Sequence, residues 1–176
     1  IGKTSFKYLT NLRTLNLNGN KISSIFLDNL RYMENLTNLD LSNNNLKEII
    51  STNQSLSLKN LEKIFLNNNK LKTLNDYLFS SHSIIEINLS DNQLFHLNIT
   101  TSSLKYLSLN NNRDLISLHF NSTQIQTLSL KNTTINILKS INFNKLINLK
   151  SLDLSDNSLS SDFINSFPIQ NLNKLQ

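Results

Sequence analysis

Apolar residues keep one spacing along most of this chain: Leu or Ile at two positions three apart, a third two further on, an asparagine three beyond it, and another apolar residue after two more. Leu36-Thr37-Asn38-Leu39-Asp40-Leu41-Ser42-Asn43-Asn44-Asn45-Leu46 is the cleanest copy, L-x-x-L-x-L-x-x-N-x-L. The alternation over Leu39-Asp40-Leu41 has the period of a strand, so its leucines point one way and the flanking residues the other. The polar run that follows predicts a turn.

Seven units follow this pattern. The first three are Leu12, Leu15, Leu17, Asn20, Ile22; Leu36, Leu39, Leu41, Asn44, Leu46; and Leu61, Ile64, Leu66, Asn69, Leu71. The fourth and fifth are Ile84, Ile87, Leu89, Asn92, Leu94 and Leu104, Leu107, Leu109, Asn112, with the last apolar residue delayed to Leu115. The sixth puts Thr133 in the asparagine position of Ile125, Leu128, Leu130, Thr133, Ile135, and the seventh is Leu149, Leu152, Leu154, Asn157, Leu159. First positions lie 24, 25, 23, 20, 21 and 24 residues apart, the period of a repeat array in which each unit contacts only its neighbours. Phe6 and Leu9 precede Leu12 at the offsets that Leu30 and Met33 keep before Leu36, and Leu172 and Leu175 open an eighth unit. The expectation is a single domain over 1–176, a fragment of a longer array, with repeats beginning near 12, 36, 61, 84, 104, 125 and 149 and a partial one at 172.

One such unit cannot bury its own apolar face, so successive strands must stack in parallel, about 4.8 Å apart, with their leucines in a shared core. Each strand end turns inward and exposes backbone amides to that core. An asparagine donates and accepts at once, so Asn20, Asn44, Asn69, Asn92, Asn112 and Asn157 are expected to form a structural ladder between turns, broken at Thr133. In the runs Asn43 to Asn45, Asn67 to Asn69 and Asn110 to Asn112 the other members read as solvated turn. Long return segments, Ser23 to Asn35 and Ser160 to Asn171, have room for a helical turn, the latter with Ser160 or Ser161 as N-cap. The short ones carrying Leu97 and Ile99, or Leu118 and Phe120, are expected to run extended, giving a flatter middle and stronger curvature at both ends.

This motif resembles the leucine-rich repeat family over almost the entire chain. The resemblance implies a β-rich α/β solenoid: a curved right-handed coil with a parallel concave sheet of about seven to eight short strands and mixed helical and extended convex segments. The repeat lengths, with Phe or Leu six residues before many strands, look most like the typical extracellular class. The short central units and Ser160-Ser161-Asp162-Phe163-Ile164-Asn165-Ser166-Phe167-Pro168 are similar to secreted insect leucine-rich immune proteins, and Toll-type receptor ectodomains are similar too. The cysteine caps and C-terminal coiled coil of the secreted group are missing here.

The formal charge of +5 would permit attraction to polyanions, but the lysines and arginines are scattered and read as solvated surface. There is no cysteine, and so no disulfide or thiol chemistry. No transmembrane-length apolar segment or signal peptide is visible.

Function is expected where the scaffold leaves side chains free, on the outward strand positions. Most of these are small and polar. Lys63, Phe65, Glu86, Asn88, Lys105 and Tyr106 are the exceptions or their neighbours, a mixed aromatic and charged set that suits ligand binding. Sequons mark possible N-glycosylation at Asn35, Asn53, Asn88, Asn98, Asn121 and Asn132, but with 32 Asn and 36 Ser plus Thr chance yields a similar number. His82, His96 and His119 fall in different return segments without a carboxylate or thiol set, and Gly2-Lys3-Thr4 lacks the upstream glycine of a phosphate loop. No catalytic, metal or cofactor site is expected. The reading is a non-catalytic recognition module, extracellular or at the cell surface, binding another protein, complement-like or a receptor, or a microbial ligand, and not nucleic acid. A cell-adhesion or developmental receptor ectodomain, or the sensor region of an intracellular signalling protein, are the alternatives.

Overall fold

The computed structural model describes residues 5–51, 58–79, 81–134 and 141–166. The G-K-T at 2–4, the sequon at Asn53, Ile135 of the sixth unit, and Leu172 and Leu175 of the eighth lie outside them.

Eleven short strands run along these residues: β1 (Thr14–Asn16), β2 (Ser24–Phe26), β3 (Asn38–Asp40), β4 (Glu48–Ile50), β5 (Lys63–Phe65), β6 (Glu86–Asn88), β7 (His96–Ile99), β8 (Tyr106–Ser108), β9 (Ser117–Phe120), β10 (Thr127–Ser129) and β11 (Ser151–Asp153). Seven of them form one parallel sheet in the order β1-β3-β5-β6-β8-β10-β11. The register is unbroken: Leu15, Leu39, Ile64, Ile87, Leu107, Leu128 and Leu152 pair in succession. This common row is buried, except that Leu152, at one edge, is only partly covered. Leu15, at the other edge, keeps 7% exposure where Ile64 has 0%, because an edge strand has a neighbour on one side only. Each fully buried Leu or Ile contributes roughly 1.5–3 kcal/mol.

Pairing continues past the strands into the turns: Leu41 N donates to Phe65 O at 2.8 Å and Asn43 N to Asn67 O at 2.9 Å. The turn needs a left-handed residue, and Gly19, Asn43, Asn68, Asp91, Asn111, Asn132 and Asp156 supply it with φ between 51° and 71°. Asn and Asp tolerate this conformation better than other residues with a Cβ.

The return segments take two forms. In the fourth and fifth units the chain runs extended, as β7 and β9, which pair in parallel. Elsewhere 3-10 turns occur at Leu27–Leu30, Asp76–Phe79 and Phe143–Lys145. A 3-10 turn rises about 2.0 Å per residue against about 3.3 Å for a strand, so it needs more residues to span the same path. That accounts for the 20- and 21-residue spacings of the middle units against 23 to 25 elsewhere. The segment from Ser23 is not wholly helical: it opens with β2, which pairs with β4, before its 3-10 turn. Helix α1 (Ser161–Ser166) begins where Ser160 Oγ accepts the N–H of Phe163 at 3.2 Å.

Candidate functional site

Three rows of side chains stand on the solvent side of the sheet. The first is Thr14, Asn38, Lys63, Glu86, Tyr106, Thr127 and Ser151; the second is Asn16, Asp40, Phe65, Asn88, Ser108, Ser129 and Asp153. The third lies two residues beyond the second, from Asn18 to Ser155, at the rim where the strands end.

Register brings Lys63, Glu86 and Tyr106 side by side. Lys63 Nζ lies 2.9 Å from Glu86 Oε2. The hydrogen bond and charge of Glu86 raise the Lys63 pKa above its ordinary value, with smaller support from Glu62 and Tyr106. An exposed pair of this kind contributes only about 0–1 kcal/mol to stability, so its effect is to bias two long side chains toward each other beside the ring. Tyr106 is 41% exposed. Phe65, half-buried, stands one row along and is paired with Asn88. Lys105 is half-buried and precedes β8, at the opposite rim; its carbonyl accepts the N–H groups of Gln126 and Thr127.

The rim row is less free than its sequence suggests. Ser42 and Ser90 are buried. In four units an Asx side chain of the second row accepts the N–H two residues on: Asn16 from Asn18, Asp40 from Ser42, Asn88 from Ser90 and Asp153 from Ser155. Cross-unit bonds then join the rim, as Ser90 Oγ to Ser108 Oγ at 2.7 Å and Ser129 Oγ to Asn110 Oδ1 at 2.7 Å. The bonds from Ser155, backbone first, hold the Asp153 carboxyl below the usual carboxylate range. The recurring D/N-L-S/N triplet is the signal that sequence reasoning passed over.

Behind the rim lie the asparagines. Asn44 Nδ2 donates to Leu17 O of the preceding unit and to Leu41 O of its own, and its Oδ1 accepts Ile22 N. Asn69, Asn92 and Asn112 repeat the arrangement. Asn157 reaches Leu130 O and accepts both Thr133 N and Thr133 Oγ1. Asn20, exposed, donates only within its own turn, to Leu17 O and Asn18 O. Thr133 Oγ1 reaches its own Leu130 O at 2.8 Å, and no bond to Leu109 O takes the place of the one an asparagine makes. The left-handed turn residues form a second, outer series, with Asn68 bonded to Asn43, Asn111 to Asp91 and Asn132 to Asn111. They are therefore more than solvated turn.

Of the described sequon asparagines, Asn35, Asn98 and Asn121 are exposed, while Asn88 and Asn132 are half-buried. Asn98 Nδ2 donates to Asp76 Oδ2 and Asn132 Nδ2 to Asn111 Oδ1. His82, His96 and His119 are exposed, with His96 Nδ1 2.7 Å from Ser117 Oγ. No helix among the described residues is long and apolar enough to cross a membrane.

Comparison with known proteins finds the same kind of repeat at both ends of the chain. Models described as leucine rich repeat match residues 1–46 and 148–169. Ras guanine nucleotide exchange factor V of Dictyostelium discoideum is 31% identical over 107 residues, 61% of this chain and 5% of that protein. A TLR13 chain, solved in a TLR13-ssRNA13 complex, superimposes with a TM-score of 0.74 at 30% identity, over 97% of this chain and 25% of the other. The functional domain of InlJ from Listeria monocytogenes, which includes a cysteine ladder, shares the fold with a TM-score of 0.68 at 22% identity, over 98% of this chain and 40% of that one. This chain thus spans a small part of each relative. With seven units in register, an asparagine behind nearly every strand and leucine rich repeat matches at both ends of the array, the chain has the fold of a leucine-rich repeat solenoid and is similar to that family.

Proposed function

We propose that this chain is a recognition module that binds a protein ligand on the solvent face of its sheet, in extracellular or cell-surface innate immune recognition. The observation that carries the reading is the cluster of Lys63, Glu86, Tyr106 and Phe65 on a face otherwise made, apart from Lys131 at the rim, of Asn, Ser, Thr and Asp. An exposed aromatic beside an ion pair has the character of an interface anchor. Leucine-rich repeat domains are generally non-catalytic binding modules, which supports binding over catalysis for this chain. The similarity to TLR13 supports a receptor-like setting, and the ligand of that complex is RNA. Here the three outward rows carry Lys63 and Lys131 against Asp40, Glu86 and Asp153, two cations to three carboxylates. Such a face offers a phosphate backbone no net positive charge, which favours a protein.

The test is affinity capture from extracellular fluid, followed by calorimetry of the identified partner against the Phe65→Ala/Tyr106→Ala double variant. Binding weakened about tenfold or more with the fold intact supports the reading; unchanged affinity removes this face from it. A sensor region of an intracellular signalling protein is the second reading, favoured by the similarity to the Dictyostelium exchange factor. Native protein found in the cytosol, with no mass shift on glycosidase treatment, selects it.

A further inference from the structure

The turns that leave the asparagine ladder form a flank distinct from the sheet face. In units two to five one apolar residue there, Leu46, Leu71, Leu94 or Leu115, is buried at 0% exposure. The residues just after them, Lys47, Lys72, Phe95 and Ile116, are exposed and stand in one row. Backbone bonds fix its register: Phe95 N donates to Lys72 O at 3.1 Å and Ile116 N to Phe95 O at 2.9 Å. Phe95 and Ile116, 39% and 52% exposed, are therefore neighbours on successive turns.

Lys21, Lys70 and Arg113 join Lys47 and Lys72 on this flank, and all five are exposed. None makes an ion pair among the described residues, where the recorded pairs are Lys63 with Glu86 and Lys131 with Asp156. The flank's own carboxylates are Glu48 and Asp114, so five cations stand against two anions. The sheet face has the opposite balance.

We propose that this flank is a second docking surface, for an acidic protein segment that places an apolar anchor over Phe95 and Ile116 and its carboxylates over Lys47, Lys70 and Lys72. An exposed apolar pair bordered on the described turns by unpaired cations has the anatomy of a protein interface. A lipid surface fits less well, because two side chains offer less hydrocarbon than one acyl chain, which alone gives only marginal membrane binding. A sulfated or phosphodiester polymer answers the lysines and leaves Ile116 uncovered. The inference rests on the charge and exposure of the flank and is independent of the sheet-face reading.

The experiment is fluorescence anisotropy on the intact chain with a labelled peptide carrying Phe-Leu between runs of Glu. The controls replace Phe-Leu by Ser-Ser, or Glu by Lys. The expected result is saturable binding of the first peptide alone, weakened about tenfold by Phe95→Ser/Ile116→Ser and again by Lys47→Glu/Lys72→Glu. Phe65→Ala/Tyr106→Ala leaves it unchanged. All substituted flank side chains are exposed, and circular dichroism confirms that each variant folds. No binding, equal binding of the Ser-Ser peptide, or sensitivity only to Phe65→Ala/Tyr106→Ala overturns the proposal. Tighter binding to phosphatidylserine vesicles, heparin or single-stranded RNA, lost in Lys47→Glu/Lys72→Glu, overturns it as well.

Discussion

Asn69 Oδ1 accepts the backbone N–H of Leu46 at 2.9 Å, while its Nδ2 reaches Leu41 O at 3.0 Å. One side chain thereby satisfies backbone groups of the preceding unit that no strand partner reaches. Asn69→Ala leaves the Leu46 N–H buried and unpaired and Leu41 O with only its bond from Asn44 Nδ2, and lowers stability by about 1–3 kcal/mol in urea denaturation. Asn20→Ala, exposed and bonded only within its own turn, costs under about 0.5 kcal/mol. Equal losses at the two positions would mean that the cross-unit bonds contribute nothing.

Gly19 holds the left-handed turn position at φ 71°, where every other described unit has Asn or Asp. A Cβ there meets nothing within 4 Å, so any cost of substitution is conformational alone. Gly19→Ala should destabilise by about 1 kcal/mol, while Gly19→Asn changes thermal stability by a few tenths at most. A clash-driven loss, larger for Asn than for Ala, would contradict this.

Thr133 interrupts the inner ladder next to a unit with an inserted residue, where Leu115 N turns back to Asn112 O at 3.2 Å. Thr133→Asn supplies a donor for Leu109 O and is expected to stabilise by about 0.5–1 kcal/mol. The measurement is the denaturation midpoint at constant m. A loss would show that the inserted residue has closed the space the longer side chain needs.

Asp153 has a depressed pKa in the folded chain, so its contribution is present above the unfolded value and is lost as pH falls through the folded one. Asp153→Ala is therefore expected to be less stable than wild type by about 1 kcal/mol at neutral pH. The gap closes as the medium is acidified below about pH 4. A difference independent of pH would assign the effect to packing.

The fold was legible because the repeat is local. Leu39 and Leu41 share a face by strand alternation alone, and the same spacing in seven units leaves one way to bury those faces together. The extended return at Leu97 and Ile99 was legible from its short length. The helical turn expected within Ser23 to Asn35 is the 3-10 turn Leu27–Leu30, but the parallel pairing of Ser24–Phe26 with Glu48–Ile50 ahead of it was not legible. Length gave room for the turn, and the neighbouring unit supplied the strand partner.

The amino-acid order by itself determined which residues of each unit face the core and where an amide is needed to serve the turns, because both follow from chemistry within a dozen residues. Only the tertiary structure decided which outward residues meet across units. Lys63 reaches Glu86, Phe95 lies beside Ile116, and Ser42 and Ser90 are drawn into the rim. Those contacts depend on how far each return segment carries the chain before the next strand begins, a distance set by the choice between 3-10 turn and strand and by the neighbours available to pair.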